Sequence, residues 1–212
     1  MACHNFVSHV TGFATLFGVG LGEHNYGHAM GLLLVPVCFL AGAMVSGMLV
    51  DLRLQLGKNP RYYIVFGVLF ALILIVEIAG WNKLWGTFGE PFVRKRDYAL
   101  LALLCLICGL QNATVSLVSK SVVRTTHLTG VTTDLGIGLV RILNRGRLGS
   151  KIAGEMQANL MRIGIIVFFV MGSAFGYQMF HQFQFRAFLF PTVISGLLFF
   201  TTFYFQVLRK NN

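Results

Sequence analysis

Apolar and polar positions fall in long blocks along this chain, not in the short alternations of a soluble domain. Five stretches, residues 29–50, 62–80, 98–118, 163–180 and 187–208, each run for about 20 residues with almost no ionised side chain inside them. A helix needs roughly 20 apolar residues to cross the hydrocarbon core of a bilayer, so each stretch predicts a spanning helix. Long buried helices of a soluble protein are the alternative, and five such stretches with almost no ionised residue weigh against it. Pro36 and Pro191 fall inside the stretches, where a membrane helix tolerates them. Trp81 and Trp85 follow the second stretch and suit an interfacial belt. Residues 1–28 have neither the basic start nor the compact apolar core of a signal peptide.

Between the apolar blocks one polar pattern is written twice. His9-Val-Thr-Gly-Phe-Ala-Thr-Leu-Phe-Gly-Val-Gly-Leu21 returns 118 residues later as His127-Leu-Thr-Gly-Val-Thr-Thr-Asp-Leu-Gly-Ile-Gly-Leu139. Downstream, Gly42 answers Gly172 and Arg61 answers Arg186, each Arg followed by an apolar run. The unit is a span, a polar segment and two further spans, and it is a common plan of secondary transporters. In the first copy only residues 1–8 precede the polar segment, so the expectation is a truncated start that lacks the opening helix. Three spans are an odd number, so successive units would cross in opposite senses. The predicted fold is therefore an all-α integral membrane protein of two tandem, inverted three-helix repeats with Gly-rich polar segments and about five spans. Repeat 1 covers residues 1–80, a linker loop 81–97, repeat 2 98–208 and a tail 209–212. Whether the polar segments are re-entrant, spanning or interfacial stays open, and spanning segments would make the repeats parallel.

Composition agrees with a membrane class: 56% of the 212 residues are hydrophobic and 11% charged. The net charge of +10 invites a nucleic-acid partner, but the basic residues sit in the loops. With strict alternation, one side carries Arg53, Lys58, Arg61, the cluster from Lys120 to Lys151, Arg209 and Lys210; the other carries Lys83, Arg94, Lys95, Arg96 and Arg186. Eleven against five makes the first side, with the C-terminus, cytoplasmic, although Arg94-Lys95-Arg96 weighs against it. No aromatic-basic platform accompanies the charge, so nucleic acid is excluded as a partner. The lipid bilayer is the expected partner, with a small solute or ion of unknown identity; a homo-oligomer stays open.

The paired segments hold the candidate chemistry. His9, Thr11 and Gly12, matched by His127, Thr129 and Gly130, offer an imidazole, a hydroxyl and a flexible backbone at corresponding places. A half-helix ending there would expose backbone groups able to hold an ion. A turn and helix cap, with the later glycines serving helix packing, would account for the same residues. Asp134 in the second segment is a candidate ion-coupling group if the segment enters the membrane, and a solvated residue beside Arg124 or Arg141 if it does not. Gln111 and Asn112 interrupt the third span as a packing seam or a pathway lining, and Gly109 before them permits close backbone contact. Glu77, four residues before Trp81, is expected to reach the interface.

Other motifs point away from catalysis. Glu23, His24 and His28 lack a third strong metal ligand, and Cys105 and Cys108 lie within an apolar span as two buried thiols. No P-loop, dinucleotide fingerprint or nucleophile elbow occurs, so neither an enzyme nor a cofactor or metal is expected.

Cys108-Gly-Leu-Gln-Asn-Ala113, followed by Val123-Arg-Thr-Thr-His-Leu-Thr-Gly-Val-Thr-Thr-Asp-Leu-Gly136, resembles the YoaK-like family of bacterial inner-membrane proteins. Phe6-Val-Ser-His-Val-Thr-Gly12 resembles that family's earlier motif, and the similarity covers essentially the whole chain. The resemblance implies six helices, with an apolar helix ahead of the first motif, and a domain of unknown function without assigned site residues. The reading that follows is a bacterial inner-membrane carrier for a small solute or ion, with its site between the two polar segments. A membrane scaffold or accessory subunit is the rival, and a membrane-embedded enzyme on lipid substrates the third alternative.

Overall fold

The computed structural model describes residues 7–89, 94–119, 128–149 and 154–209, and everything described is helix, turn or loop. Its helices are α1 (Val10–Gly22), α2 (Tyr26–Ser46), α3 (Leu52–Gln55), α4 (Tyr62–Trp81), α5 (Lys95–Val118), α6 (Leu128–Leu143), α7 (Arg145–Leu148), α8 (Glu155–Phe183) and α9 (Leu189–Phe203). A π-helical turn, Gly47–Asp51, joins α2 to α3, a 3₁₀ segment, Gln184–Phe188, joins α8 to α9, and a π-helical end, Tyr204–Leu208, follows α9.

Among the described residues, four continuous helical stretches are long and apolar enough to cross a membrane: Ala29–Gln55, Tyr62–Trp81, Lys95–Val118 and Glu155–Leu208. The first three take up the first three apolar blocks of the sequence. The fourth contains the last two blocks, 163–180 and 187–208, so five expected spans become four continuous stretches. At 1.5 Å per residue its 54 residues would reach about 80 Å if straight, far beyond a hydrocarbon core of roughly 30 Å. Gln184, with a φ of 51°, interrupts the α-helical path between α8 and α9.

Helix α8 begins eight residues before its expected block because its first charges are matched. Arg141 of α6 and Arg162 of α8 both donate to the Glu155 carboxylate, at 3.0 and 2.8 Å. Paired in this way, Glu155 and Arg162 need not end the helix. The two polar segments are also helical, α1 and α6, despite glycines that lower helix propensity. Thirteen residues of α1 rise roughly 20 Å, less than a bilayer core.

Packing follows the close approaches that glycine allows. Helix α2 lies along α5, α1 on α2, α4 on α9 and α6 on α8. At the α2–α5 crossing the glycines are reciprocal. A Cβ on Gly42 would run into the Leu106 carbonyl oxygen, and one on Gly109 into the Phe39 carbonyl oxygen. The Ser46 and Thr114 hydroxyls, 2.9 Å apart and buried, bond across the same pair of helices. One apolar core joins Val65, Leu69, Ile73 and Val76 of α4 to Leu100, Ile107 and Leu110 of α5, with Val50 from the π turn. A second joins Phe13 of α1 to Leu32 and Val35 of α2 and Leu101 and Cys105 of α5. Cys108, expected buried beside Cys105, is only half-buried. Outside these cores the apolar surface stays open. Phe168 of α8 is 73% exposed and Leu197 of α9 63%, an arrangement costly in water and natural against lipid tails.

Candidate functional site

The first polar segment enters α1 through His9. His9 is its N-cap, makes no side-chain capping bond, and folds its ring back over the first turn. A Cβ on Gly12 would lie 2.5 Å from His9 Nδ1, so glycine is what makes room for that ring. Thr11 is exposed, and its carbonyl accepts a hydrogen bond from Thr15 Oγ1 at 3.1 Å. In α6 the Thr129 carbonyl accepts from Thr133 Oγ1 at 2.9 Å, and Gly130 faces open space. His127 lies outside the described residues.

Further along, Gly20 is buried against Ala29 of α2, and Gly138 against Asn159 and Glu155 of α8. The structure thus seats the two polar segments on different helices, with no extensive packing of α1 on α6. Asp134 is exposed on α6, and Arg141, named beside it in the sequence reading, pairs with Glu155. His24 is bonded to the Tyr26 hydroxyl, 3.0 Å from its Nδ1.

The Gln111-Asn112 interruption divides its roles. Asn112 is buried within the bundle, and Gln111 is exposed and lines a cavity of about 430 Å³ between α4, α5 and α9. Leu69 and Ile73 of α4 face Pro191, Ile194 and Ser195 of α9 across it, and Gln111, Thr114 and Ser119 supply polar groups from α5. The Ser195 hydroxyl is turned toward its own helix, 2.8 Å from the Pro191 carbonyl oxygen.

One turn beyond Ile73 stands Glu77. It does not reach the interface as its place near Trp81 suggested; it is 2% exposed. Thr192 of α9 donates from Oγ1 to Glu77 Oε2 at 2.6 Å, and the same hydroxyl is 2.8 Å from the Phe188 carbonyl oxygen. A buried carboxyl among apolar helices needs such a partner, because it has lost its water. Aromatic rings close that end of the bundle. Gly80 gives way to the Phe185 ring, which meets Phe88 edge-on at 5.1 Å, and Phe180 meets Phe188 at 5.0 Å. The Trp85 indole donates to the Val76 carbonyl at 3.1 Å, folding the following loop back over α4.

Residues 1–201 match the family described as a protein of unknown function, DUF1275. The chain belongs to that family. Membership in DUF1275, the YoaK-like group whose motifs the sequence carries, spans both polar segments and every helix through α8, with most of α9. No curated protein and no solved structure matches the chain. For this DUF1275 member, chemical roles rest on its own geometry. The sequence signal for Glu77 was a lone carboxylate in an apolar block; its partner, 115 residues away, carries no pattern that links the two.

Proposed function

We propose that this protein is a secondary carrier of the bacterial inner membrane that moves a small, largely apolar solute, with no catalytic step of its own. The observation that carries the reading is the buried Glu77, bonded to Thr192 on another helix, each about one turn from a residue (Ile73 and Ser195) that lines a cavity with Gln111 and Thr114. A carboxyl inside a membrane bundle is costly and is kept where charge must be picked up and released. In this reading Glu77 is the coupling group, one turn along α4 from the cavity. Asp134 is a second coupling candidate, on the polar helix α6.

Two inverted repeats are the architecture we infer. Matched positions behave alike: Thr15 and Thr133 bond to the carbonyls of Thr11 and Thr129, and Gly20 is buried against α2 as Gly138 is against α8. Helices α1 and α2 pair as α6 and α8 do, while α4 packs on its counterpart α9. Alternating access would then rock one repeat against the other, moving the His9–Gly12 and His127–Gly130 segments with their helices. The cytoplasmic side in this proposal is the one that carries Arg53, Arg61 and Arg209. Packing of Gly20 and Gly138 alone would also suit a non-transporting scaffold, so a test must report on the cavity.

Single cysteines at Gln111, Ser195, Thr11 and Thr129, in protein whose native cysteines are replaced, would be labelled from each side of proteoliposomes. A carrier exposes Gln111→Cys and Ser195→Cys to a small aqueous reagent from both sides, with one side favoured at a time. Absence of labelling at both cavity positions, in protein that unfolds cooperatively, would leave the scaffold.

A further inference from the structure

A second cavity lies at the opposite end of α4 from Glu77, where the N-terminus of α4 meets the end of α9. About 440 Å³ in volume, it is lined by Arg53, Asn59, Arg61 and Tyr63 on one side and by Phe205, Gln206 and Arg209 on the other. Three guanidinium groups line it, and among the described residues no carboxylate does. Like charges brought together at the edge of an apolar bundle repel one another unless an anion joins them.

Two of the three are positioned by groups that leave their charge uncancelled. Arg53 Nε donates to the Asn59 carbonyl at 2.8 Å, and the Arg209 guanidinium carbon stands 5.7 Å from the Phe205 ring centre. Arg61 is the N-cap of α4, so the positive end of a 20-residue helix dipole adds to the cluster. Gln206 Oε1 accepts from the Tyr63 backbone N–H at 3.3 Å, tying the two walls together. Tyr62, Tyr63, Tyr204 and Phe205 stand at this level, the side-chain chemistry of a headgroup belt.

We infer that this cleft binds a phosphate-bearing anion at the membrane face, held by Arg53, Arg61 and Arg209. Guanidinium forks match phosphate oxygens in geometry and charge, and basic pockets between membrane helices take up acidic headgroups. The same chemistry would hold a free phosphate. The inference does not need the protein to be a carrier.

The full chain would be placed in nanodiscs of phosphatidylcholine with and without phosphatidylglycerol, and retention of the acidic lipid measured by native mass spectrometry. In parallel, inorganic phosphate would be titrated into the phosphatidylcholine sample. Arg61→Gln/Arg209→Gln is expected to weaken acidic-lipid retention at least about a hundredfold, the loss of two hydrogen bonds between charged groups. Lys58→Gln, on the same loop and outside the cleft lining, should cost no more than about fivefold, the share of one charge near an anionic surface. Arginine-dependent phosphate binding without a lipid preference would support the cleft and name free phosphate as its ligand. Loss of lipid retention by Lys58→Gln equal to that of the arginine variant would overturn the inference, because a diffuse basic surface would then suffice. Absence of arginine-dependent binding of either probe would overturn it as well. Should the double variant not fold, Arg209→Gln alone, exposed just after the π-helical end Tyr204–Leu208, gives the same comparison at more than about tenfold.

Discussion

Gly109→Ala is expected to destabilise the bundle more than any other single methyl added to the chain. The new Cβ would overlap the Phe39 carbonyl oxygen, and the reciprocal Gly42→Ala would overlap the Leu106 carbonyl oxygen. Both obstacles are backbone, so no side chain can swing aside and the helices must separate. Overpacking of this kind costs about 1–3 kcal/mol, and separation would also stretch the Ser46–Thr114 hydrogen bond beside the crossing. The double variant should cost less than the sum of its parts, since one separation accommodates both methyls. Gly130→Ala and Gly172→Ala are the controls, both helical glycines with nothing near the added carbon. They should be neutral or stabilising by up to about 1 kcal/mol, the helix preference of alanine over glycine. Thermal unfolding in detergent measures all five variants. Equal midpoints for Gly109→Ala and the controls would show that α2 and α5 do not approach as closely as described.

That crossing was half legible in the sequence. Gly109 announced itself beside the polar pair Gln111-Asn112, whereas Gly42 stood out only through its match with Gly172. The spans were legible because a bilayer core demands a length of apolar chain that few other settings demand. Their buried faces were not, because helices apolar on every side carry no stripe to read. Helix α8 was read too short for a related reason. Glu155 and Arg162 precede the apolar block, and they are carried inside the helix because Arg141 of α6 joins their ion pair. The polar segments gave their pairing but not their state, since glycine and threonine weaken the helical signal while neighbouring helices supply the packing. Gln111 and Asn112 were legible as a polar break in an apolar span, but not which of them would be buried and which would line a cavity. Glu77 was placed at the interface because Trp81 is one turn away; the Thr192 hydroxyl that keeps it inside comes from α9, beyond the reach of any local pattern.

Thr192→Val should cost about 1–3 kcal/mol, the penalty for stripping a buried polar group of its partner, because valine keeps the shape and removes the donor to Glu77. Replacing both groups by apolar ones should restore most of that stability, so Glu77→Leu/Thr192→Val is expected to be more stable than Thr192→Val alone. Glu77→Gln tests the other half of the question. Its amide has nearly the size of the carboxyl, still accepts from the Thr192 hydroxyl, and should leave the unfolding midpoint close to that of the parent. A residue kept only for packing would then be dispensable. A coupling group would not, because the amide cannot pick up and release the charge that lets the bundle change its facing. On the carrier proposal, Glu77→Gln therefore folds normally yet holds Ser195→Cys open to one side, with labelling from the other reduced at least about tenfold, a bias of roughly 1.4 kcal/mol between the two facings. Two-sided labelling that survives Glu77→Gln would instead make the Glu77–Thr192 pair a structural tie between α4 and α9, and would move the search for a coupling group to Asp134.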